Sequence, residues 1–234
     1  MAKKLSIVIP AYNEEKNIVP TVKSYYNFFS ENLPDFEIIV VVNNSSDKTF
    51  DLASKFSAGR PEIAVLNFDF YTGKGGAVIE GFRACKGNLA GFADADDSTV
   101  PSEFFRLVKC CDEGFDVVIG SRSVNDSVIR KKQPLYRRIL GSGFRFITNL
   151  LFGLGINDTQ CGAKVFSRKT LELLLREKIS KGFEFDVQML WIAKRNGLRI
   201  KEKGIRWSDN ADSKVGFFEP LKMLIGLLRL RFGG

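Results

Sequence analysis

The feature that most constrains the fold of this chain is a series of short apolar strands that alternate with helical segments through its first half. Five strands are expected, at 5–11, 36–42, 62–68, 88–94 and 116–121. Val, Ile, Leu, Ala and Phe fill most of these segments, which is typical of strands buried on both faces of a parallel sheet. The alternation therefore predicts an α/β protein with three layers, α/β/α, around a mostly parallel central sheet.

The second half of the chain follows a less regular pattern. Further helices are expected at about 134–152 and 184–196, and further strands at 163–167 and 198–207. No linker rich in Pro or Ser separates the halves, so residues 1–234 are expected to form one domain. Amphipathic segments at about 127–157 and 217–232 are expected to elaborate the C-terminal half of that domain.

Composition excludes several kinds of catalytic site. The chain has no histidine, and its 35 Lys and Arg against 27 Asp and Glu give a formal net charge of +8. A Ser-His-Asp triad, a histidine general base and a zinc site with histidine ligands are therefore excluded. Any metal must be bound by oxygen ligands.

Two features of the sequence favour the cytosol. CxxC spacing is absent among the cysteines, which are expected to be buried and reduced: Cys85, Cys110, Cys111 and Cys161. Lys, Arg or Gly interrupts every apolar run before 18 residues, too early for a membrane-spanning helix, and the N-terminal run is too short for a signal peptide. The protein is therefore not expected to cross a membrane.

Polar clusters follow three of the strands directly. They occupy 10–14, 43–47 and 94–98, and the last contains three aspartates within four positions. Any one cluster could be ordinary turn chemistry, because Asn, Asp, Ser and Pro cap helices and form turns. The carboxyl ends of parallel strands meet at one edge of the sheet, where ligands bind. We therefore expect the three clusters to form a ligand site together.

The third cluster predicts a divalent cation. Asp94 and Asp96 are two residues apart, so both carboxylates can approach one ion, while Asp97 caps the following helix. Hard oxygen ligands select Mg²⁺ or Mn²⁺, ions that commonly bridge substrate phosphates, which predicts a diphosphate ligand. The glycine-rich segment 73–76 lacks the Walker pattern, but it is consistent with backbone N–H groups near a phosphate.

Eight blocks now point to a known family: IVIPAYNEEKNI, NNSSDKT, GKGGAV, FADADDS, GSR, DTQCGAKVF, FEFDVQML and a final block from Trp207 to Lys214. In their order and spacing the chain resembles the inverting family 2 glycosyltransferases of nucleotide-diphosphate-sugar (GT-A) fold, from residue 5 to about 225. Within that group DTQCGAK and FEFDVQML are more similar to the dolichyl-phosphate glucosyltransferases than to the mannosyl enzymes. The resemblance implies the GT-A fold and a nucleotide-diphosphate-sugar donor.

The resemblance also implies which residues bind the donor. The nucleotide-sugar site would comprise Pro10, Ala11, Tyr12, Glu14, Asn43, Lys74, Gly75, Asp94 and Ala95. Within it, Pro10, Tyr12 and Glu14 would hold the nucleoside, and Asn43 would read the base. This assignment predicts that the first two clusters bind the nucleoside end of the donor.

The residues expected to bind the metal and the base differ from the usual family pattern at two places. Asp94 and Asp96 would serve the ribose or the metal, Mg²⁺ or Mn²⁺, and Ser98 stands where relatives often carry a Gln metal ligand. The usual Asp-Asp pair after the second strand is here Val42-Asn43. An amide offers one acceptor and one donor, which complements uracil, whereas a carboxylate suits the two adjacent N–H donors of guanine. A UDP-sugar is therefore predicted over a GDP-sugar.

The acceptor implied by the resemblance is polyprenyl or dolichyl monophosphate. Its second pKa of about 6 leaves it largely dianionic at neutral pH, so no general base is needed. Arg122, Arg138, Ser142 and Lys214 would bind the acceptor phosphate, and Asp96, Arg122 and Arg138 would be catalytic. A salt bridge at the end of a strand for Arg122, and simple solvent exposure for Lys214, remain alternatives. A single displacement would invert the anomeric centre.

Two segments predict contact with a membrane surface. Segment 127–157 has no acidic residue, and its apolar residues recur at spacings of three and four, with Arg138, Ser142 and Arg145 opposite them. Segment 217–232 has a wide apolar arc. Each is either packed on the core or lies in the headgroup region, and peripheral attachment to the cytoplasmic face is predicted. Nucleic-acid binding is not expected, because no stacking platform or binding motif accompanies the basic residues.

These observations predict transfer of a hexose, most simply glucose from UDP-glucose, to dolichyl or polyprenyl phosphate, with inversion and a divalent metal. One alternative keeps the fold but uses GDP-mannose or a non-lipid acceptor. Another is a membrane-associated binding protein with a degenerate site, which the unusual Val42 and Ser98 suggest.

Overall fold

A computed structural model describes residues 4–131, 135–208 and 219–233, and within them it does not describe the side chains of 130–140 and 208–221. The strands of the described chain are β1 (Leu5–Ala11), β2 (Phe36–Asn43), β3 (Ile63–Phe68), β4 (Leu89–Ala93), β5 (Val117–Ser121), β6 (Val128–Lys131), β7 (Ala163–Ser167), β8 (Ile200–Gly204) and β9 (Arg206–Ser208). The helices are α1 (Ile18–Asn32), α2 (Thr49–Ser57), α3 (Gly73–Ala84), α4 (Pro101–Asp112), α5 (Leu135–Phe152), α6 (Arg168–Arg176), α7 (Phe185–Arg195) and α8 (Glu219–Phe232).

Seven strands form the central sheet, in the order β3-β2-β1-β4-β7-β5-β8. Neighbouring strands are parallel except at β7, which runs antiparallel to both β4 and β5. β6 and β9 pair separately as a parallel two-stranded sheet. The α/β class and the mostly parallel sheet predicted from the alternating pattern are confirmed.

The strands are buried on both faces, which produces the three layers. Ile7 and Ile9 of β1 point into a core that contains residues of α1 and α4, whereas Val8 points into a second core with residues of α3 and α7. This alternation follows from the two-residue period of side chains along a strand. The apolar runs read from the sequence are therefore strands covered by helices on both sides.

Three elements differ from the sequence prediction. β6 and α6 were not predicted, and the strand expected at 198–207 is divided at Ile205 into β8 and β9. At this division the N–H of Gly204 donates to Asp126 Oδ1 over 3.0 Å, and a Cβ at position 204 would overlap that carboxylate. Glycine therefore lets the chain leave the large sheet here and pair with β6 instead.

The four cysteines are buried, as predicted. Burial raises the pKa of the Cys161 thiol, and also those of Cys85 and Cys111, to about 12 in each case. These thiols are therefore neutral at physiological pH and pack as small apolar groups.

Within the described ranges, no helix combines the length and the apolar character needed to cross a bilayer.

Candidate active site

The loops that follow β1, β2 and β4 lie at one edge of the sheet, because these three strands are adjacent and parallel. Each loop contains a residue other than glycine with a positive φ: Asn13 at 53°, Asn44 at 54° and Asp97 at 54°. Asn and Asp tolerate this conformation better than other side chains, although it still costs free energy. Strained backbone at all three loops is typical of a functional edge.

The first two loops are held together by hydrogen bonds. The N–H of Asn13 donates to Ser45 Oγ over 2.9 Å, and Asn13 Oδ1 accepts from the N–H of Ser46 over 2.8 Å. The N–H of Glu14 donates to Thr49 Oγ1 over 2.7 Å. These bonds fix the loop that carries Tyr12 and Glu14 against the start of α2.

An exposed pair of aromatic rings lies at this edge. Tyr12 and Tyr71 form a T-shaped contact with ring centroids 5.7 Å apart, and they are 43% and 60% exposed. Tyr12 directly follows Pro10 and Ala11, the last residues of β1. Tyr12 belongs to the first polar cluster, whereas Tyr71 belongs to none of the three clusters and is not among the predicted site residues. Together the rings offer apolar faces on which a nucleobase can stack.

Asn43 is buried at the end of β2, and its amide oxygen is already engaged. Asn43 Oδ1 accepts from the backbone N–H of Thr72 over 2.7 Å and from Thr72 Oγ1 over 2.8 Å. A carbonyl oxygen has two lone pairs, so both acceptor positions are used. The oxygen expected to face uracil therefore holds the start of α3 instead, and recognition of a base by Asn43 would depend on its amide N–H groups.

Glycines at the start of α3 permit a close approach of the segment before α7. The N–H of Gly75 donates to the carbonyl of Lys181 over 3.1 Å, and a Cβ at position 75 would overlap Ser180 O and lie 2.7 Å from Phe185 Cβ. The Gly75 N–H, which the glycine-rich pattern suggested for a phosphate, is thus used inside the protein. Lys74 lies between Gly73 and Gly75, and its side chain reaches Asp94 at the carboxyl edge of the sheet.

Lys74 forms an ion pair with Asp94, with 2.7 Å between Nζ and Oδ1. Burial disfavours the charged amine, but Asp94 and then Asp186 outweigh this effect and raise the pKa of Lys74. Asp94 lies against Gly162. The backbone N–H of Asp94 donates to the carbonyl of Gly162 over 3.1 Å, and a Cβ on Gly162 would overlap the Asp94 carboxylate. The position of Asp94 therefore depends on a glycine in the DTQCG block.

Asp96 and Asp97 crowd negative charge beside Asp94. Burial, followed by repulsion from Asp94, raises the pKa of Asp96, while its Oδ1 accepts from the N–H of Ser98 over 3.0 Å. Burial and the charge of Asp96 raise the pKa of Asp97 to about 6. Asp97 Oδ1 is buried without a hydrogen-bond partner in the part of the chain that the structure describes. Helix α4 has Val100 as its N-cap and no side-chain cap among the described residues, so the prediction that Asp97 caps this helix is wrong. This loop would be stabilised by a cation.

Helix α1 holds the same loop from behind. Thr21 Oγ1 donates to the carbonyl of Ala95 over 2.8 Å, and the Tyr25 hydroxyl donates to the carbonyl of Thr99 over 2.6 Å. Burial, reinforced by the nearby aspartates, raises the pKa of Tyr25 well above its ordinary value, so the hydroxyl remains a donor. The carboxylates therefore lie on a backbone that is fixed at two carbonyls.

The donor set fits a divalent metal that shares its ligands with a substrate. Among the described residues, no three acidic or cysteine side chains gather into a metal site made by the protein alone. Asp94 and Asp96 provide hard oxygen donors in a region of repulsion between carboxylates. Mg²⁺ and Mn²⁺ suit such a site, because they take few protein carboxylates and complete their shell with phosphate oxygens and water.

Arg122 forms a two-pronged ion pair with Asp158. Its Nε and Nη2 lie 2.7 Å from Asp158 Oδ2 and Oδ1, and its guanidinium lies 5.3 Å from the centre of the Trp207 ring. Despite burial, Arg122 lowers the pKa of Asp158, and Asp158 raises that of Arg122. The salt bridge considered as an alternative for Arg122 is present, and direct binding of a phosphate by Arg122 stays a prediction.

Glu202 of β8 fixes this ion pair in turn. Its Oε1 accepts from the N–H of Asp158 over 2.8 Å and from Ser121 Oγ over 2.7 Å. The ends of β5 and β8 and the loop before β7 therefore meet at Arg122.

The remaining acceptor residues are only partly placed. Ser142 lies on the exposed side of α5. The side chain of Arg138 and all of Lys214 lie outside the described residues, so their roles stay predictions.

Comparison with known proteins identifies the family. A sequence model described as glycosyl transferase family 2 matches residues 6–175 of this chain. The chain is a family 2 glycosyltransferase. The family inferred from the sequence blocks is thereby confirmed.

Several relatives of this transferase carry the name dolichyl-phosphate beta-glucosyltransferase. The chain is 30% identical to dolichyl-phosphate beta-glucosyltransferase ALG5D of Trichomonas vaginalis, over 97% of this chain and 72% of that protein. It is 31% identical to the human dolichyl-phosphate beta-glucosyltransferase, over 98% of this chain and 75% of that protein.

The fold of the transferase is also that of solved structures. Glucosyl-3-phosphoglycerate synthase of Mycobacterium tuberculosis, crystallised with Mn²⁺, UDP and glucosyl-3-phosphoglycerate, superposes with a TM-score of 0.74 at 21% identity. The match covers 99% of this chain and 80% of the synthase. The expected GT-A fold is confirmed.

One pair of charges behind the site of the transferase is not among the predicted site residues. Lys164 of β7 and Asp186 of α7 are both buried, and Lys164 Nζ lies 2.5 Å from Asp186 Oδ1. The available signal was a lysine within the apolar strand AKVFS, where a charge is unexpected unless it is paired.

Proposed function

We propose that this transferase moves glucose from UDP-glucose to dolichyl or polyprenyl phosphate, with inversion at the anomeric carbon and with Mg²⁺ or Mn²⁺ as cofactor. The observation that carries the proposal is the pairing of Lys74 with Asp94 beside Asp96 at the carboxyl edge of the sheet. Positive and negative groups placed together suit a magnesium or manganese diphosphate. The relatives named dolichyl-phosphate beta-glucosyltransferases support the choice of sugar and acceptor.

The donor would lie along the edge described above. Its uracil would stack on the exposed rings of Tyr12 and Tyr71. Asp94 and Asp96, with Ser98, would hold the metal, which when bound neutralises the departing diphosphate. The Lys74 ammonium group adds a second positive charge beside the metal position. The negative charge that develops on the departing diphosphate would therefore be stabilised by groups that are already in position.

The acceptor phosphate needs positioning more than activation. It is largely dianionic at neutral pH, so it can attack the anomeric carbon without a general base, consistent with a chain that has no histidine. Arg122, Arg138, Ser142 and Lys214 would orient the phosphate and reduce its repulsion from the donor. Attack from the face opposite the leaving group would convert an α-linked donor into a β-linked lipid product.

Helices α5 and α8 would bring the enzyme to the cytoplasmic face of a membrane. They pack against each other and expose large apolar side chains: Phe146, Leu150, Ile225, Leu228 and Phe232. Phe146 and Leu150 are 68% and 72% exposed. Arg229 and Arg231 are exposed at the end of α8, which adds attraction to anionic headgroups. Because α5 also carries Ser142, the same surface would lie near the phosphate of a membrane-bound acceptor.

A panel of donors and acceptors tests the proposed reaction. With UDP-glucose, polyprenyl phosphate and Mn²⁺, we expect release of UDP and a lipid product heavier by one hexose, detected by mass spectrometry. Polyprenol without the phosphate is the matched control and should give no product, because it is not ionised. Faster turnover of GDP-mannose, or equal transfer to a soluble sugar, would contradict the proposal.

Vesicle binding tests the membrane surface. The double variant Phe146→Ser with Leu150→Ser should reduce cosedimentation with phosphatidylserine vesicles by roughly tenfold or more, since burial of each large apolar side chain contributes about 1.5–3 kcal/mol. Phe50 of α2 is also exposed, so Phe50→Ser is a matched control that should bind like the unaltered protein. Unchanged cosedimentation of the double variant would exclude this surface.

A further inference from the structure

The ion pair between Lys164 and Asp186 is the most deeply buried charged group among the described residues. The Lys164 side chain is 0% exposed, and its Nζ lies 2.5 Å from Asp186 Oδ1 and donates to the carbonyl of Cys161 over 2.7 Å. The ammonium group also lies 5.2 Å from the centre of the Phe92 ring. Burying two charges removes both from water, and a well-packed apolar pair is often at least as stable. Stability alone therefore does not explain this pair.

Lys164 is linked to the position of Asp94. It pairs in register with Phe92 of β4, two residues before Asp94. Its bond to the carbonyl of Cys161 fixes the backbone immediately before Gly162. Gly162 accepts the N–H of Asp94 and lies against its carboxylate. Movement of the Lys164 ammonium group would therefore displace Gly162, and with it the Asp94 side chain that contacts Gly162.

Asp186 is linked to Lys74 by a second route. It is the second residue of α7, and its neighbour Phe185 packs against Gly75, next to Lys74. The negative charge of Asp186 also acts on the Lys74 amine. Lys164 therefore supports the position of Asp94, and Asp186 supports the position of Lys74.

We propose that Lys164 and Asp186 are positioning residues, whose ion pair sets the relative placement of Asp94 and Lys74 for the metal and the diphosphate. Both side chains are buried, so neither would touch the substrate directly. The inference rests on the proposed function, because it assumes that Asp94 and Lys74 bind that ligand.

The test removes the charges while preserving the packing. In the double variant Lys164→Met with Asp186→Leu, we expect a melting temperature within a few degrees of the unaltered protein. We expect the affinity for Mn²⁺ and UDP, measured together by calorimetry, to fall by roughly 10–100-fold, with a similar fall in kcat, as for other residues that orient metal ligands. A folded double variant with unaltered affinity and kcat would overturn the inference.

A second pair provides the matched control. Lys203 and Asp126 also form a Lys–Asp ion pair, 2.8 Å long, but it is partly exposed and lies at the end of β8. Lys203→Met with Asp126→Leu should leave Mn²⁺ and UDP affinity unchanged. If the buried double variant does not fold, Asp186→Asn keeps the volume and the hydrogen-bond acceptor while removing the charge. Unaltered affinity and kcat in that variant would also overturn the inference.

The binding measurement separates this inference from the proposed function. If the unaltered protein does not bind Mn²⁺ and UDP, the proposed donor is wrong. If it binds them and the charge-removed variants bind equally well, only the positioning role is wrong.

Discussion

Replacing Asp96 with Asn is expected to lower kcat/KM for glucosyl transfer by roughly a hundred- to a thousandfold, the range seen when one preorganised charge-stabilising group is lost. The fold should be retained, because the Asn side-chain oxygen can still accept the N–H of Ser98. Asp96 is a proposed metal ligand, and an amide binds a hard divalent cation more weakly than a carboxylate does.

The same substitution is expected to preserve or increase stability. A carboxyl whose pKa is raised on folding destabilises the folded state at pH values above that pKa, where it must ionise in an unfavourable place. Burial and Asp94 raise the pKa of Asp96, so a neutral side chain removes that cost at neutral pH. Loss of activity with no loss of melting temperature would distinguish a ligand role from a structural one.

Asp112→Asn is the control for Asp96. Asp112 is exposed and pairs with Lys4 on the surface, so its replacement should change neither activity nor melting temperature appreciably. An Asp96→Asn variant that turned over like the unaltered enzyme would remove the metal from the proposed mechanism. If the unaltered protein also showed no transfer, the alternative of a degenerate binding protein would be favoured.

Replacing Gly162 with Ala should lower kcat/KM by roughly a hundredfold, the cost of displacing a reacting group by about 1 Å. The added Cβ would overlap the carboxylate of Asp94, which would have to rotate away from Lys74. Steady-state kinetics and calorimetry with Mn²⁺ and UDP should both report the change. Overpacking should also lower the free energy of unfolding by about 1–3 kcal/mol.

Gly141 offers a matched glycine for this experiment. It lies on the exposed side of α5, and a Cβ there would meet no atom within 4 Å. Gly141→Ala should therefore leave the affinity for Mn²⁺ and UDP unchanged. If Gly162→Ala also kept full affinity, the contact between Gly162 and Asp94 would not be what positions the carboxylate.

The sheet could be predicted because its signals are local. β1 coincides with the expected strand at 5–11, and β2 extends the expected strand by one residue, to Asn43. Buried parallel strands show themselves as apolar runs, and the order of strand and helix then limits the topology. The direction of β7 could not be read in this way, because a short strand such as AKVFS has the same pattern whether it runs parallel or antiparallel.

The sequence predicts which residues belong to the candidate active site, but it does not predict the hydrogen bonds and ion pairs that those residues form. The three polar clusters lie at one edge as expected, because strand order alone brings them there. The partners of Arg122 and Lys164 are 36 and 22 positions away in sequence, and no spacing rule specifies them. The engagement of Asn43 by Thr72 likewise depends on how β2 meets α3.

The place of β7 in the sheet has a consequence for biosynthesis. Within the sheet, β5 pairs with β7 and β8, both of which follow it in the chain. One edge of β4 likewise pairs with β7, which is synthesised later. A chain still emerging from the ribosome with β1 to β5 complete would expose an unsatisfied strand edge, which is a template for aggregation. The free edges of β4 and β5 are therefore expected to stay exposed until β7 and β8 have been synthesised.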